Sequence, residues 1–153
     1  MADPVIRVRR LPGADVPLPA YQTPGAAGAD LCANLPGGAV TLAPGARVLV
    51  PTGLAVEIPA GYEMQIRARS GLALKHGLAL ANGIGTIDSD YRGEIAVILV
   101  NFGVQPVDLT HGMRIAQAVV APVVQAQFQL AETLEDSARG AGGFGSTGVD
   151  ERC

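Results

Sequence analysis

The residue types best suited to chemistry lie in one short stretch, residues 82–93, which read Asn-Gly-Ile-Gly-Thr-Ile-Asp-Ser-Asp-Tyr-Arg-Gly. Asp88 supplies a carboxylate, and Tyr91 supplies a flat aromatic face near it. Gly83 and Gly85 permit unusual backbone angles and let another backbone or a ligand approach closely. Exposed main-chain N–H and C=O groups in such a stretch can read a small planar ligand. The pattern is equally compatible with an ordinary hairpin that has a polar tip.

The same stretch carries its own structural signals. The pair Asn82-Gly83 is a strong short-range hairpin signal, and the stretch lies between two apolar strand candidates. Side chains alternate along a strand, so Ile84, Thr86 and Asp88 are expected on one side of an extended arm.

A second candidate site is Arg69-Ser70-Gly71, which follows a segment with a clear period of two, residues 62–69. The segment predicts a strand. Ser70 is suited to begin a short helix as its N-cap, and Gly77 is suited to end it. The first N–H groups of such a helix, with an arginine beside them, suit a phosphate. A plain capped helix is the alternative.

A third candidate lies in the glycine-rich residues 139–148, which cannot pack a core and are expected to be mobile when free. The spacing resembles a phosphate loop, but the lysine of that loop is missing. We predict a tail that orders over a ligand, with Arg139, Ser146 and Thr147 for phosphate and Phe144 for a base. The alternative is a disordered tail.

Two polar residues stand out in apolar surroundings. Gln117 interrupts a predicted strand over residues 113–125, and a buried glutamine needs partners, either in a structural network or on a ligand. Asp30 follows a run of small residues, where an aspartate usually caps backbone N–H groups. His76 and His111 have no cluster around them in sequence and are interpreted as surface or structural residues.

Length and composition bound the fold. The chain has 153 residues, 20 of them glycine and 11 proline, which favours one domain of short strands joined by turns over a helical bundle. The net charge of −3 argues against a general nucleic-acid binder. Two cysteines without a ligand cluster do not suggest a disulfide framework. Neither a signal peptide nor a membrane-spanning apolar run is visible, so we expect a cytoplasmic protein without a membrane partner.

Taken together, five stretches resemble the trimeric deoxyuridine triphosphate nucleotidohydrolases (dUTPases), in the order and spacing of that family. The stretches are residues 27–31, 69–73, 82–93, 114–117 and 139–148. Any one of them is weak, but five in order are specific. Ala29 and Ala118 depart from the larger residues usual in the family, which bears on packing rather than on chemistry.

The resemblance implies an all-β, jelly-roll-like β-barrel with one short helix and a flexible glycine-rich C-terminal tail. Residues 1–134 would form the barrel, and residues 135–153 would close over the site of a neighbouring subunit in a homotrimer. It implies hydrolysis of dUTP to dUMP and pyrophosphate by Mg²⁺-assisted attack of water on the α-phosphate. This reaction would lower dUTP and supply dUMP for thymidylate synthesis.

The resemblance also implies roles for individual residues. Asp88 would hold and polarise the attacking water, and Asp30 would hold a water of the Mg²⁺ shell. Tyr91 would pack under the sugar, and Phe144 would stack on uracil. The base and the deoxyribose would be held by Asn82, Thr86, Ile87 and the backbone near Ala96. The phosphates would be held by Arg69, Ser70, Gly71, Gln117, Arg139, Gly145, Ser146 and Thr147.

Three alternatives remain open at this stage. A dCTP deaminase resembles the same fold family but needs a different acid or base and a site for the amino group of cytosine. A regulatory module that binds dUTP without turnover would be expected to lack Asp88 or the tail. A purely structural β-domain leaves the glycine-rich tail unexplained.

Overall fold

A computed structural model of the chain describes residues 3–146 and 148. Thr147, which was predicted to bind phosphate, lies outside the described residues. The described part forms eleven strands and one helix. The strands are β1 (Arg7–Arg10), β2 (Ala20–Tyr21), β3 (Ala29–Cys32), β4 (Val40–Leu42), β5 (Arg47–Glu57), β6 (Tyr62–Arg67), β7 (Leu78–Leu80), β8 (Gly85–Ile87), β9 (Glu94–Asn101), β10 (Val107–Leu109) and β11 (Arg114–Pro122), and the helix is α1 (Ser70–His76).

Two antiparallel sheets hold most of these strands. The first sheet has the strand order β1-β5-β9-β7, and the second has the order β2-β3-β11-β6-β8. A small pair, β10 with β4, completes the described sheets. The prediction of an all-β, jelly-roll-like fold with one short helix is confirmed, although the described strands form separate sheets rather than one closed barrel.

The core is built mainly from branched aliphatic residues. Leu54 and Leu99 of the first sheet and Leu31, Ile66 and Ile115 of the second are each at most 1% exposed. The period of two predicted for residues 62–69 is present in β6, where alternate residues are buried. This alternation turns the other side chains of β6 away from the core.

Helix α1 follows β6 almost directly. It ends at Gly77, as predicted, with a φ of 70° and its N–H bonded to the Ala73 carbonyl. The prediction that Ser70 is the N-cap was wrong, because Arg69 has extended backbone angles and its carbonyl accepts the N–H groups of Leu72 and Ala73. Ser70 is therefore the first helical residue. No helix in the described part is long and apolar enough to cross a membrane.

Strand β11 is shorter than predicted. It ends at Pro122 rather than near residue 125, and the N–H of Val123 donates to the Gly61 carbonyl beyond its end. The following residues, 124–141, are exposed along their whole length. Residues 123–125, which were part of the predicted strand, therefore lie beyond the last strand that pairs within the described chain.

Candidate active site

The outer side of the second sheet carries a cleft of about 530 Å³ between β3, β11 and α1. The cleft is lined by five of the residues that the sequence predicted for the phosphates and the metal. They are Asp30, Arg69, Ser70, Gly71 and Gln117. Residues from β3, β11 and α1, and Arg69 just before α1, thus meet because β11 pairs with β3 on one side and with β6 on the other, and α1 follows β6.

The carboxylate of Asp30 is the electrostatic centre of this cleft. One oxygen lies 3.0 Å from Nε of Arg69 and the other 3.0 Å from Nη1 of Arg114, and the Asp30 side chain is only 11% exposed. Arg69 also donates from Nη1 to the Arg114 carbonyl at 3.1 Å. Arg114, which was not predicted as a site residue, is thus part of the site. Its place at the start of the 114–117 stretch is the only sequence signal for it.

These contacts fix the orientation of Arg69 but occupy only some of its N–H groups. A guanidinium carries five N–H groups, and Asp30 and the Arg114 carbonyl occupy two of those on Arg69. The remaining N–H groups are available to an anion. Beside them, Ser70 and Gly71 begin α1, where backbone N–H groups have no acceptor within the helix. The combination can bind a phosphate.

Gln117 is held by the protein and also lines the cleft. Its Nε2 donates to the Ala68 carbonyl at 2.9 Å, and a Cβ atom on Gly28 would collide with its side-chain oxygen. Gly28 is not in the left-handed region, so its lack of a side chain provides space for Gln117 rather than an unusual backbone angle. Both interpretations of Gln117, structural partner and cleft residue, therefore apply.

The charges of the cleft also act on Cys32 of β3, which is buried. Burial raises the pKa of the Cys32 thiol, and the negative charge of Asp30 raises it further, whereas Arg114 and Arg69 lower it. Because the raising effects prevail, Cys32 is a neutral thiol at pH 7 and adds no charge to the cleft.

The 82–93 stretch connects two antiparallel strands, β7 and β9, which pair with each other in the first sheet, but the connection is long and is not a two-residue turn at Asn82-Gly83. Within this connection, β8 pairs with β6 of the second sheet. There Thr86 lies opposite Gln65 of β6. The long-range pairing with β6 overrides the local hairpin signal. The alternation is as predicted, since Ile84, Thr86 and Asp88 are all exposed.

Asp88 follows β8 at the start of a tight turn. The N–H of Tyr91 donates to the Asp88 carbonyl at 3.2 Å, and Arg92 donates from one nitrogen to the carbonyls of Ser89 and Tyr91. The Asp88 side chain is exposed and is not among the residues that line the cleft. The turn therefore presents a carboxylate to solvent from a backbone that is held in place.

Other predicted base and sugar residues also lie away from the cleft. Ile87 of β8 is half-buried, and Asn82 is exposed before it. Ala96 lies in β9 of the first sheet, opposite Pro51 of β5. The cleft lining contains none of these residues, so the described chain holds the residues predicted for the phosphates apart from those predicted for the base.

The tail is separate from both. Arg139 donates from Nε to the Gly142 carbonyl at 2.8 Å, a contact within the tail itself. Phe144 is fully exposed, and Gly145 and Ser146 are also exposed. Within the described part of the tail, the hydrogen bonds of these residues stay local.

The residues that line the cleft offer few ligands for a divalent cation. The described residues contain no group of three or more His, Cys, Asp or Glu side chains that could hold a metal ion. Asp30 is the one carboxylate among the residues that line the cleft. Each of its oxygens accepts one guanidinium bond, whereas an ionised carboxylate has about four acceptor positions in all. Asp30 can therefore also accept a water that is bound to a metal.

Comparison with known proteins agrees with this arrangement. A family profile described as dUTPase matches residues 14–148 of the chain. A deoxyuridine 5'-triphosphate nucleotidohydrolase of Roseobacter denitrificans is 63% identical over 140 residues, which cover 90% of this chain and 92% of that protein. The chain belongs to the dUTPase family. This assignment confirms the resemblance of the five stretches and favours the hydrolase over the deaminase alternative.

Solved structures of the dUTPase family share the fold. A dUTPase of Staphylococcus bacteriophage 80alpha with dUPNHPP has a TM-score of 0.85 at 26% identity, covering 95% of this chain and 99% of that one. A mutant dUTPase of phage phi11 of S. aureus has a TM-score of 0.76 at 22% identity, covering 86% and 99%. That phi11 protein coordinates a structural Mg(II) ion.

The Asp30 contacts generate a stability prediction. In Asp30→Asn the two arginines lose their charge partner while the side-chain size is kept, so the free energy of unfolding should fall by about 1–3 kcal/mol. Denaturant titration without added metal measures this loss. Glu57→Gln is the matched control, because it removes an exposed ion pair to Arg7 at 3.5 Å and should cost less than about 1 kcal/mol. Equal stabilities of Asp30→Asn and wild type would contradict the role of Asp30 as a brace.

Proposed function

We propose that this chain hydrolyses dUTP to dUMP and pyrophosphate, with Mg²⁺ as cofactor, as a homotrimer with sites between subunits. The observation that carries the proposal is the braced cationic cleft around Arg69 in a chain of the dUTPase family. The related proteins carry the same activity in their names.

The phosphates of dUTP bind in the cleft. The free N–H groups of Arg69, the first N–H groups of α1 at Ser70 and Gly71, and the amide of Gln117 all donate to phosphate oxygens. Phosphoryl transfer depends mainly on positioning and charge neutralisation. A preorganised guanidinium supports both, because Asp30 and Arg114 already hold it in place before the substrate arrives.

Asp88 activates the attacking water. Its exposed carboxylate accepts a proton from the water as the water oxygen forms a bond to the α-phosphorus. The bond between this phosphorus and the oxygen that bridges to the β-phosphate breaks, so pyrophosphate leaves and dUMP remains. The hydrogen-bonded turn from Asp88 to Tyr91 holds the carboxylate for this step.

The base is read by the 82–93 stretch. β8 is the last strand of the second sheet, so the side of its backbone away from β6 is open to a ligand. We assign Asn82, Thr86, Ile87 and the backbone near Ala96 to uracil and deoxyribose, and Tyr91 to the face of the sugar. Uracil and cytosine differ in their hydrogen-bonding edge, so a fixed backbone edge can discriminate between them.

Mg²⁺ fits the cleft through phosphate oxygens and water rather than through a protein cage. Asp30 would hold one of its waters, consistent with its remaining acceptor positions. When bound, the ion neutralises charge on the phosphate oxygens.

The homotrimer is supported by apolar surface that one chain leaves uncovered. Residues 124–130 alternate between apolar residues and glutamine, the pattern of a strand with one apolar face. Val124, Phe128 and Leu130 are each at least 91% exposed. An apolar cleft of about 240 Å³, lined in part by Ala29 and Ala118, is also uncovered. Contact with other copies of the chain would cover such surfaces.

A junction between subunits also explains why the two sides of the site are separate. The cleft of one subunit then faces the 82–93 stretch of its neighbour. Residues 1–134 form the body and residues 135–153 the closing tail. Arg139, Gly145, Ser146 and Thr147 close on the γ-phosphate, and Phe144 stacks on uracil. We further propose a cytoplasmic location, without nucleic-acid or membrane partners, in keeping with the net charge of −3 and a small-molecule substrate.

The role of Asp88 is tested by Asp88→Asn. The amide keeps the size of the side chain but cannot take a proton from water, so kcat for dUTP should fall by on the order of a hundredfold or more. Pyrophosphate release measures the rate, and calorimetry with dUPNHPP should show nearly unchanged binding. A variant with near wild-type kcat would show that Asp88 is not the base.

The role of the tail is tested by limited digestion with trypsin, which cleaves after Arg139. Glycine-rich residues lose much backbone entropy on ordering, so closure should need contacts that only the triphosphate supplies. dUPNHPP with Mg²⁺ should protect Arg139, and dUMP should not. In Phe144→Ala the protection should weaken by roughly tenfold, because base stacking on an aromatic contributes about 1–3 kcal/mol. Equal cleavage of the wild-type chain when it is free, with dUMP, and with dUPNHPP plus Mg²⁺ would show that the tail does not close.

A further inference from the structure

We propose that Gly93 is a positioning residue for Tyr91, and that turnover of dUTP depends on the space that Gly93 leaves for the Tyr91 ring. This inference rests on the proposed function, in which Tyr91 packs against the sugar. Gly93 acts through the space that it leaves for the Tyr91 ring and makes no contact with the substrate itself.

The need for glycine at this position does not come from the backbone. Gly93 is absent from the glycines with positive φ, so an alanine would be compatible with its backbone angles. A Cβ atom on Gly93, however, would lie 2.5 Å from Cζ and 2.9 Å from Cε2 of Tyr91, and it would collide with the hydroxyl oxygen as well. Contacts this short force a displacement, and the obstacle is a rigid ring. The Tyr91 ring therefore packs directly against Gly93.

The far end of the ring is fixed by a second contact. The Tyr91 hydroxyl donates to the Glu94 carbonyl at 3.0 Å. Glu94 is itself anchored, because its carboxylate accepts the N–H of Gly53 at 2.7 Å. Gly53 has a φ of 68° and lies where the pairing of β5 with β9 shifts register. The ring is therefore tied through Glu94 to the first sheet.

The hydroxyl bond to Glu94 and the lack of a side chain at Gly93 together determine the position of the Tyr91 ring. Tyr91 is 43% exposed, so part of the ring is available to a ligand. A methyl group at position 93 would push the ring outward, into the space that the sugar takes in the proposed complex. The ring could then no longer keep both its hydroxyl bond to Glu94 and its distance from the sugar.

A displaced ring therefore hinders the binding of dUTP in the position that turnover needs. The expected signature of a change at Gly93 is a lower kcat/KM for dUTP, and this loss should disappear when the ring is removed.

A double-mutant cycle tests this inference. Gly93→Ala should lower kcat/KM for dUTP by on the order of tenfold to a hundredfold, as small misplacements at a reacting centre do. In a Tyr91→Ala background, where no ring remains to collide, Gly93→Ala should change kcat/KM by less than about twofold. Gly37→Ala is the matched control, since its Cβ would meet nothing within 4 Å and its φ is not positive; it should match wild type.

Stability measurements keep the test decisive. If Gly93→Ala lowers the melting temperature, the Tyr91→Ala/Gly93→Ala double variant should regain the melting temperature of Tyr91→Ala. Additive effects in the cycle, on turnover or on melting, would overturn the inference, because Gly93 would then act independently of the ring. A wild-type chain that does not hydrolyse dUTP would instead refute the proposed function, and the melting cycle would still decide the contact between Gly93 and Tyr91.

Discussion

The carboxylate of Asp30, held between two guanidinium groups, is the interaction on which the phosphate side of the site depends. It joins Arg69, which lies between β6 and α1, to Arg114 at the start of β11, with Asp30 itself in β3. The side chains of Asp30 and Arg69 are 11% and 26% exposed, so removing the carboxylate leaves a partly buried positive charge without compensation. The arrangement keeps Arg69 oriented before any phosphate arrives, and the cleft is thereby formed in advance.

A second constraint is that the cleft, the Asp88 turn and the tail lie apart from one another within one described chain. The cleft lies on the second sheet, the Asp88 turn lies beyond β8, and the described tail makes only local hydrogen bonds. The chain also exposes a strand-like apolar segment near Phe128. The proposed homotrimer would account for both features at once, because a neighbouring subunit would cover the apolar segment and bring an Asp88 turn to the cleft.

Local patterns in the sequence predicted much of this structure. The period of two in residues 62–69, the end of α1 at Gly77 and the exposed side of the 82–93 stretch follow from residue types and spacing alone. The crossing of β8 to β6 was not predictable, because pairing between distant strands leaves no local pattern. The pairing of Asp30 with Arg114 was missed for the same reason, since 84 positions separate the two residues. Residue types alone suggested the phosphate-binding role of Arg69-Ser70-Gly71 and the closing role of the tail, whereas the roles of Asp88 and of the base-binding residues came from the family resemblance.

Co-expression of two inactive variants tests the central claim, that one subunit supplies the cleft and another the Asp88 turn. Asp88→Asn and Arg69→Ala chains are each expected to have very low dUTP turnover alone. In mixed trimers, about a quarter of the sites should combine an intact cleft with an intact Asp88 from a different subunit, and turnover should recover to roughly that fraction. Turnover that stays at the average of the two separate variants would place both residues in a site within one chain and contradict the account.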